Sequence, residues 1–221
     1  MKNRIDLKKF ENIIDKEISY ILGLLWADGH VTFANNKSKT PIIKHTTKPE
    51  DNDTYLPIFQ YSGNWNTFTA KNIGSYSKTP KNIVINWVSC RELGQYLIDH
   101  DFRNKTNSPD LILNKIPNNL RVYWYRGFFD GDGSVSIKHK GHHSVTFTSS
   151  SNQDWSFIVN LYKELNIERF KHRIVKSRGG SSSQIRITNK KDIIKFERYL
   201  YDDYDNYPLG LSRKRDKFFE L

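Results

Sequence analysis

The chain has 221 residues, and its 35 Lys and Arg against 24 Asp and Glu give a formal net charge of +11, the footprint of a protein that meets a polyanion. Aromatic content of 14% and hydrophobic content of 37% exclude disorder, and no apolar run approaches the ~20 residues of a membrane span, so no membrane partner is expected. The single cysteine, Cys90, excludes a disulfide framework and a Cys-rich zinc site, and the charged N-terminus lacks a secretory apolar stretch, so a cytoplasmic or organellar-matrix setting is expected.

Residues 1–16 read as a short helical N-terminal extension. The two most patterned stretches follow, ILGLLWADGHV (Ile21 to Val31) and YRGFFDGDGSV (Tyr125 to Val135). Asp28 and Asp132 within them are 132 − 28 = 104 residues apart. Each stretch is an apolar helical run that ends on Asp-Gly and turns into alternating apolar residues, the pattern of a helix entering a strand.

The register continues downstream. Ile43 to Thr47 matches Val145 to Ser149 as a strand, and helices built on Tyr55, Ile58 and Phe59 match those on Trp155, Ile158 and Leu161. Two strands follow in each copy, Phe68 to Tyr76 and Asn82 to Val88, then Phe170 to Arg178 and Ser183 to Asn189. Turns are needed at Lys78 to Pro80 and Gly179 to Ser181, which disfavours a phosphate loop at that Gly pair. Helices on Leu93, Tyr96 and Leu97, and on Phe196, Tyr199 and Leu200, close the units, with Cys90 a small residue at a helix start. The chain therefore divides into a first repeat at 17–103, a Pro-containing linker at 104–119, and a second repeat at 120–221 with a basic C-terminal segment. The fold class is α+β, an αββαββα unit used twice.

Gly23 and Ala27, and Gly127 and Gly131, place small residues four apart on one helical face, so each helix can approach the other closely. Asp28 and Asp132 would then emerge together at two helix C-termini. A carboxylate there opposes the helix dipole by about 0.3 to 1 kcal/mol, and the two also repel one another. A divalent cation between them, Mg²⁺ or Mn²⁺ with oxygen ligands, would relieve both penalties. The plainer alternative is a helix C-cap in which Gly29 and Gly133 take the left-handed conformation and each Asp only solvates the turn.

ILGLLWADG and YRGFFDGDG resemble the paired signatures of the double-motif LAGLIDADG homing endonucleases. The resemblance implies motif helices at the interface between repeats, antiparallel sheets forming a saddle over the DNA major groove, and a monomer. It implies site-specific hydrolysis of both strands of a long, non-palindromic duplex to leave short 3′ overhangs. The metal ligands carried over are Asp28 and Asp132, with the backbone carbonyls of Ala27, Gly29, Gly131 and Gly133 as helpers. Lys105 and Lys214, just past the last helix of each repeat, are the expected basic residues near the scissile phosphates. Asp130, two before Asp132 where the first motif has Trp26, is expected to be structural.

On such a saddle, strand alternation nominates Thr32, Ala34, Asn36, Lys71 and Asn86 in the first repeat as DNA contacts. In the second it nominates Ser136, Lys138, Lys140, Lys171, Arg173, Arg186 and Thr188. The HKGHH run of His139, His142 and His143 reads as a hairpin near DNA rather than a zinc site, since no Cys or acidic ligand accompanies it. Two alternatives use the same fold: a maturase with intron RNA as partner, and a DNA-binding regulator that has lost cleavage. Splicing blocks of an intein find no room.

Overall fold

The structure, a computed structural model, describes residues 5–34, 39–72, 80–138, 142–177 and 180–220. Helix α1 (Leu7–Glu11) lies in the N-terminal extension. The first repeat runs α2 (Lys16–Asp28), β1 (Gly29–Phe33), β2 (Pro41–Thr47), α3 (Pro49–Tyr61), β3 (Asn66–Asn72), β4 (Lys81–Ser89) and α4 (Arg91–Asp99). A short α5 (Asp110–Leu113) and a 3₁₀ turn (Asn118–Leu120) follow. The second repeat runs α6 (Arg121–Asp132), β5 (Gly133–Lys138), β6 (His142–Ser150), α7 (Ser156–Glu164), β7 (Phe170–Ser177), β8 (Gly180–Ile187) and α8 (Lys190–Tyr201). The αββαββα order is therefore present twice, and the basic tail forms a further helix, α9 (Ser212–Phe219).

Both sheets are antiparallel and share one permutation, β1-β2-β4-β3 and β5-β6-β8-β7. One face of each is apolar and packs on helices, as Val145, Phe147, Ile185 and Ile187 do in the second sheet. The segment between the repeats is anchored rather than loose, because Ile112, Leu113 and Ile116 are buried. Of the expected turns, Lys78, Thr79 and Gly179 lie outside the described residues, as do the ends of the strands expected to reach Tyr76 and Arg178.

At the centre, α2 is buried from Ile18 through Trp26 and α6 from Tyr123 through Asp130. A helix that is buried all round belongs inside the molecule, and these two pack on each other. A Cβ added to Gly23 would stand 1.9 Å from the Trp124 carbonyl oxygen, one on Gly127 2.2 Å from the Tyr20 carbonyl oxygen, and one on Gly131 2.2 Å from Ala27 Cβ. The small residues thus permit backbone to touch backbone. Arg126 on α6 is fully buried; its guanidinium donates to the carbonyls of Leu200 (2.6 Å) and Leu209 (3.2 Å) and to Asp203 Oδ1 (2.6 Å). It ties the motif helix to the chain that leads toward α9.

Because the close approach is backbone to backbone, Gly127→Ala cannot be absorbed by a side-chain rotation. It should destabilise the protein by about 1 to 3 kcal/mol, read as a lower urea midpoint with an unchanged slope. An unaltered midpoint would contradict the contact.

Candidate active site

The crossing of α2 and α6 delivers two acids to one place. Asp28 Oδ2 lies 3.1 Å from where a Cβ of Gly131 would stand, and Gly131 immediately precedes Asp132. Gly29 and Gly133 have φ of −77° and −85°, extended rather than left-handed, so the simple C-cap alternative fails. The glycines are required for space, since a Cβ on Gly29 would lie 2.2 Å from the Leu25 carbonyl oxygen and one on Gly133 2.1 Å from the Phe129 ring.

Asp28 reaches solvent and Asp132 is half-buried, but both sit in recesses where protein mass displaces hydrating water. Burial, followed by repulsion from Asp28, pushes Asp132 up to about 7 despite Lys105 and Lys214 nearby. Burial raises Asp28 as well, against the pull of the same lysines. The pair shares a proton near neutral pH unless another cation is present.

Two clefts flank the helix crossing. One, of ≈ 440 Å³, holds Asp28, Asp51, Arg213 and Lys214; the other, of ≈ 290 Å³, holds Asp132, Arg103, Lys105 and Gln153. Each therefore combines an Asp from one repeat with a Lys that follows the other. A larger cleft of ≈ 790 Å³ beside Trp65 and Trp87 has Glu92 as its one acid among the described residues, so size does not mark the site.

The lysines do more than line these clefts. Lys105 Nζ donates to the carbonyls of Gly29 (2.6 Å), Ala27 (2.9 Å) and Leu25 (3.5 Å), at the end of α2. Lys214 Nζ donates to those of Asp130 (2.6 Å), Gly133 (2.7 Å) and Phe129 (2.8 Å), at the end of α6. Helix C-termini leave carbonyls unpaired and partly negative, so an ammonium is a natural cap. The carbonyls of Ala27, Gly29 and Gly133, expected as metal helpers, are thus held by ammonium groups instead, which leaves the two carboxylates as the principal hard donors. Burial lowers Lys105 and brings Lys214 down to about 8.

Sequence reading missed Asp51 and Gln153. Both are buried and related by the 102-residue offset that relates Ile43 to Val145, so the repeat register was the signal that finds them. Arg213 binds Asp51 with both arms (Nε to Oδ1 2.6 Å, guanidinium N to Oδ2 2.5 Å). Gln153 accepts from Ser149 Oγ (2.9 Å) and donates to the Asp154 carbonyl (2.9 Å). Asp130 is fully buried, accepting from the Tyr20 hydroxyl (2.5 Å) and the Leu211 amide (2.9 Å). Gly210, at φ +111°, packs against it, and a Cβ there would stand 2.6 Å from Asp130 Oδ2. Asp130 thus fixes the chain that enters α9 and carries Lys214.

Cross-strand partners share a face, so pairing decides which side chains lie away from the helices. In the second sheet one row runs Ser134, Thr146, Arg186, Lys171 and the next Thr148, Gln184, Arg173. Ser136, Lys171, Arg173 and Arg186 are on the open face, and Thr188 is exposed just past β8. Thr32 lies on the open face of the first sheet, opposite the buried Val31. Asn36, Lys140 and His139 fall outside the described residues, as do the side chains of Lys138 and His142.

Asn86 and Lys71 need correction. Asn86 is 0% exposed and donates to Asn52 Oδ1 (2.8 Å), on the same face as Val84 and Val88. Lys71 pairs with Asn82 and so belongs to that face as well. The error has a physical origin: Ile83 to Val88 is apolar on both faces, so the one polar residue looked like the outward one.

Residues 120–201 match the LAGLIDADG-like domain family. An uncharacterized protein of Methanocaldococcus jannaschii is 29% identical over 184 residues, 75% of this chain, and the chain covers 65% of that relative's length. The solved structure of the homing endonuclease I-WcaI bound to its DNA recognition sequence aligns with a TM-score of 0.57 at 16% identity, covering 96% of this chain and 91% of that one. I-DmoI in complex with DNA and Ca aligns with a TM-score of 0.54 at 16% identity, covering 86% and 91%. The two-repeat fold is common to these structures.

Asp132 holds its proton more tightly folded than unfolded, so its own contribution to stability is greatest at low pH and falls as pH climbs from about 4 through about 7. Asp132→Asn removes that loss. In EDTA, the variant should gain about 1 to 2 kcal/mol over wild type between about pH 5 and pH 8, an amount discounted for partial exposure. Thermal melts at both pH values check it, and a pH-independent difference would contradict the coupling.

Proposed function

We propose that this chain, which carries a LAGLIDADG-like domain on the two-repeat fold of the double-motif homing endonucleases, is a monomeric, metal-dependent, site-specific DNA endonuclease. The observation that carries the reading is the juxtaposition of Asp28 and Asp132 at two helix ends, each opening into its own cleft beside the lysine that caps the other motif helix. Nothing in the packing of the core calls for two converging carboxylates. Two reaction centres astride a crossing of backbones suit two strands of one duplex.

The donor set fits a hard divalent cation: two carboxylates whose repulsion a dication would reverse, among oxygen atoms. Asp28 and Asp132 would hold Mg²⁺ or Mn²⁺, which when bound supplies charge neutralisation at the phosphate and acidifies water. The chain's own residues do the rest. Lys105 and Lys214, fixed by three carbonyls each, keep positive charge beside the acids and stabilise the charge that builds on the scissile phosphate. In the Asp28 cleft, the Asp51–Arg213 pair joins the start of α3 to α9 and so holds the two repeats in register. In the Asp132 cleft, Gln153 occupies the corresponding place and presents an amide where the first has an ion pair. The two strands therefore meet unlike surroundings, in keeping with a long, non-palindromic target; short 3′ overhangs are part of the same proposal.

A duplex library incubated with the protein and Mg²⁺ or Mn²⁺ should yield cut ends at one sequence. Asp28→Asn and Asp132→Asn should each reduce double-strand cleavage at least about 10²-fold at matched folding. Binding without cutting in either metal would overturn the enzyme reading.

Affinity should also fall steeply with salt. With roughly 6 to 10 phosphates neutralised, going from about 50 to 200 mM should weaken binding by about 10³ to 10⁵, with the protein sedimenting as a single chain at both. A flat titration would point away from a duplex.

A further inference from the structure

We propose that the two sheets read their half-sites by different chemistry: the first by apolar contact with thymine methyl groups, the second by hydrogen bonds to guanine. This rests on the endonuclease reading above and specifies the target it acts on.

The argument comes from superposing the two registers. The row His30, Lys44, Trp87, Asn66 in the first sheet occupies the place of Ser134, Thr146, Arg186, Lys171 in the second, each being the row next to the Gly-initiated one. The following row, Thr46, Ile85, Phe68, corresponds to Thr148, Gln184, Arg173. Three equivalences result on the inner and outer strands. Trp87 stands for Arg186, Ile85 for Gln184, and Phe68 for Arg173. At these three places the second sheet offers polar groups and the first large apolar ones, with His30, Lys44, Thr46 and Asn66 as the polar members of the first sheet's rows.

A one-sided antiparallel sheet normally turns polar residues outward, so the first sheet breaks the pattern where the second keeps it. Phe68 is 46% exposed, and Ile83, Ile85 and Trp87 are partly so. The face is continuous with the candidate centre, because Ile83 and Thr46 line the same cleft as Asp28. A duplex centred on the two acids therefore extends over it. Among base edges in the major groove, the thymine methyl is the one apolar group, and such side chains gain by covering it.

In the second sheet, Arg173 donates through Nε (3.1 Å) and a terminal nitrogen (2.9 Å) to Gln184 Oε1. That contact fixes the guanidinium and occupies the amide's acceptor, so the pair faces outward as donors. Arg186 Nε is buried without a hydrogen-bond partner. Donors on these two adjacent rows match guanine, which presents O6 and N7 as acceptors.

The test is selection of binding duplexes from a random library, with Ca²⁺ in place of the cleaving metal, followed by single-atom-group changes in the selected duplex. Replacing thymine by deoxyuridine removes only the methyl. It should weaken binding about fourfold per methyl in one half and less than about twofold in the other. Replacing guanine by 7-deazaguanine should cost about tenfold in the opposite half. Trp87→Ala should abolish the uracil effect and leave the deazaguanine effect, and Arg186→Ala should do the reverse, which also assigns each half to its sheet. Equal uracil sensitivity in both halves, or guanine dependence lost in Trp87→Ala, would overturn the proposal while leaving the endonuclease reading intact. Failure to enrich any duplex would sink both.

Discussion

The arrangement depends on the backbone contact between α2 and α6. With Gly23 against the Trp124 carbonyl and Gly127 against that of Tyr20, the helices approach closer than any side chain allows. Everything that matters chemically is measured from that crossing. The helix ends converge, a strand leaves each at Gly29 and Gly133, and both repeats share one core cluster. A conventional helix interface, packed through Leu and Ile, would hold the acids apart and replace one site by two unrelated helix termini.

Bringing the acids together is electrostatically adverse, and the structure meets the cost in two ways. Lys105 and Lys214 reach back from beyond each repeat to cap the carbonyls at the end of that repeat's own motif helix, which places compensating charge beside the carboxylates with no direct ion pair to either among the described residues. What remains uncompensated appears as a proton held up to about 7 on Asp132. Repulsion of this kind between neighbouring carboxylates is relieved by a proton or by a cation between them. Lys214 in turn depends on a buried support, with Asp130 gripping the Leu211 amide and Arg126 gripping the Leu209 carbonyl.

The pseudo-symmetry is one of backbone rather than chemistry. Equivalent positions carry Asp51 and Gln153, a charge against an amide, and His45 and Phe147, Asn86 and Ile185, where the first repeat buries polar groups and the second an aromatic and an aliphatic one. On the outward face the asymmetry is reversed, with the apolar residues in the first repeat. A sequence that exchanges inside for outside in this way misleads any reading based on alternation, and it misassigned Asn86 and Lys71.

The order of elements, the two motifs and the convergence of Asp28 and Asp132 were legible in the sequence. Helical periodicity, glycine spacing and repetition are local signals, and the repeat itself states that each helix has a twin to pack on. The faces of the first sheet, the buried roles of Arg126 and Asp130, the pairing of Asp51 with Arg213 and the capture of helix carbonyls by the lysines were decided by tertiary structure alone. The reason is one of distance along the chain: Arg213 meets Asp51 across 162 residues, and Lys105 meets Gly29 across 76. No local pattern encodes which buried charge finds which partner. Burial converts those distant meetings into strong interactions, and burial exists only once both repeats have closed on the same pair of helices.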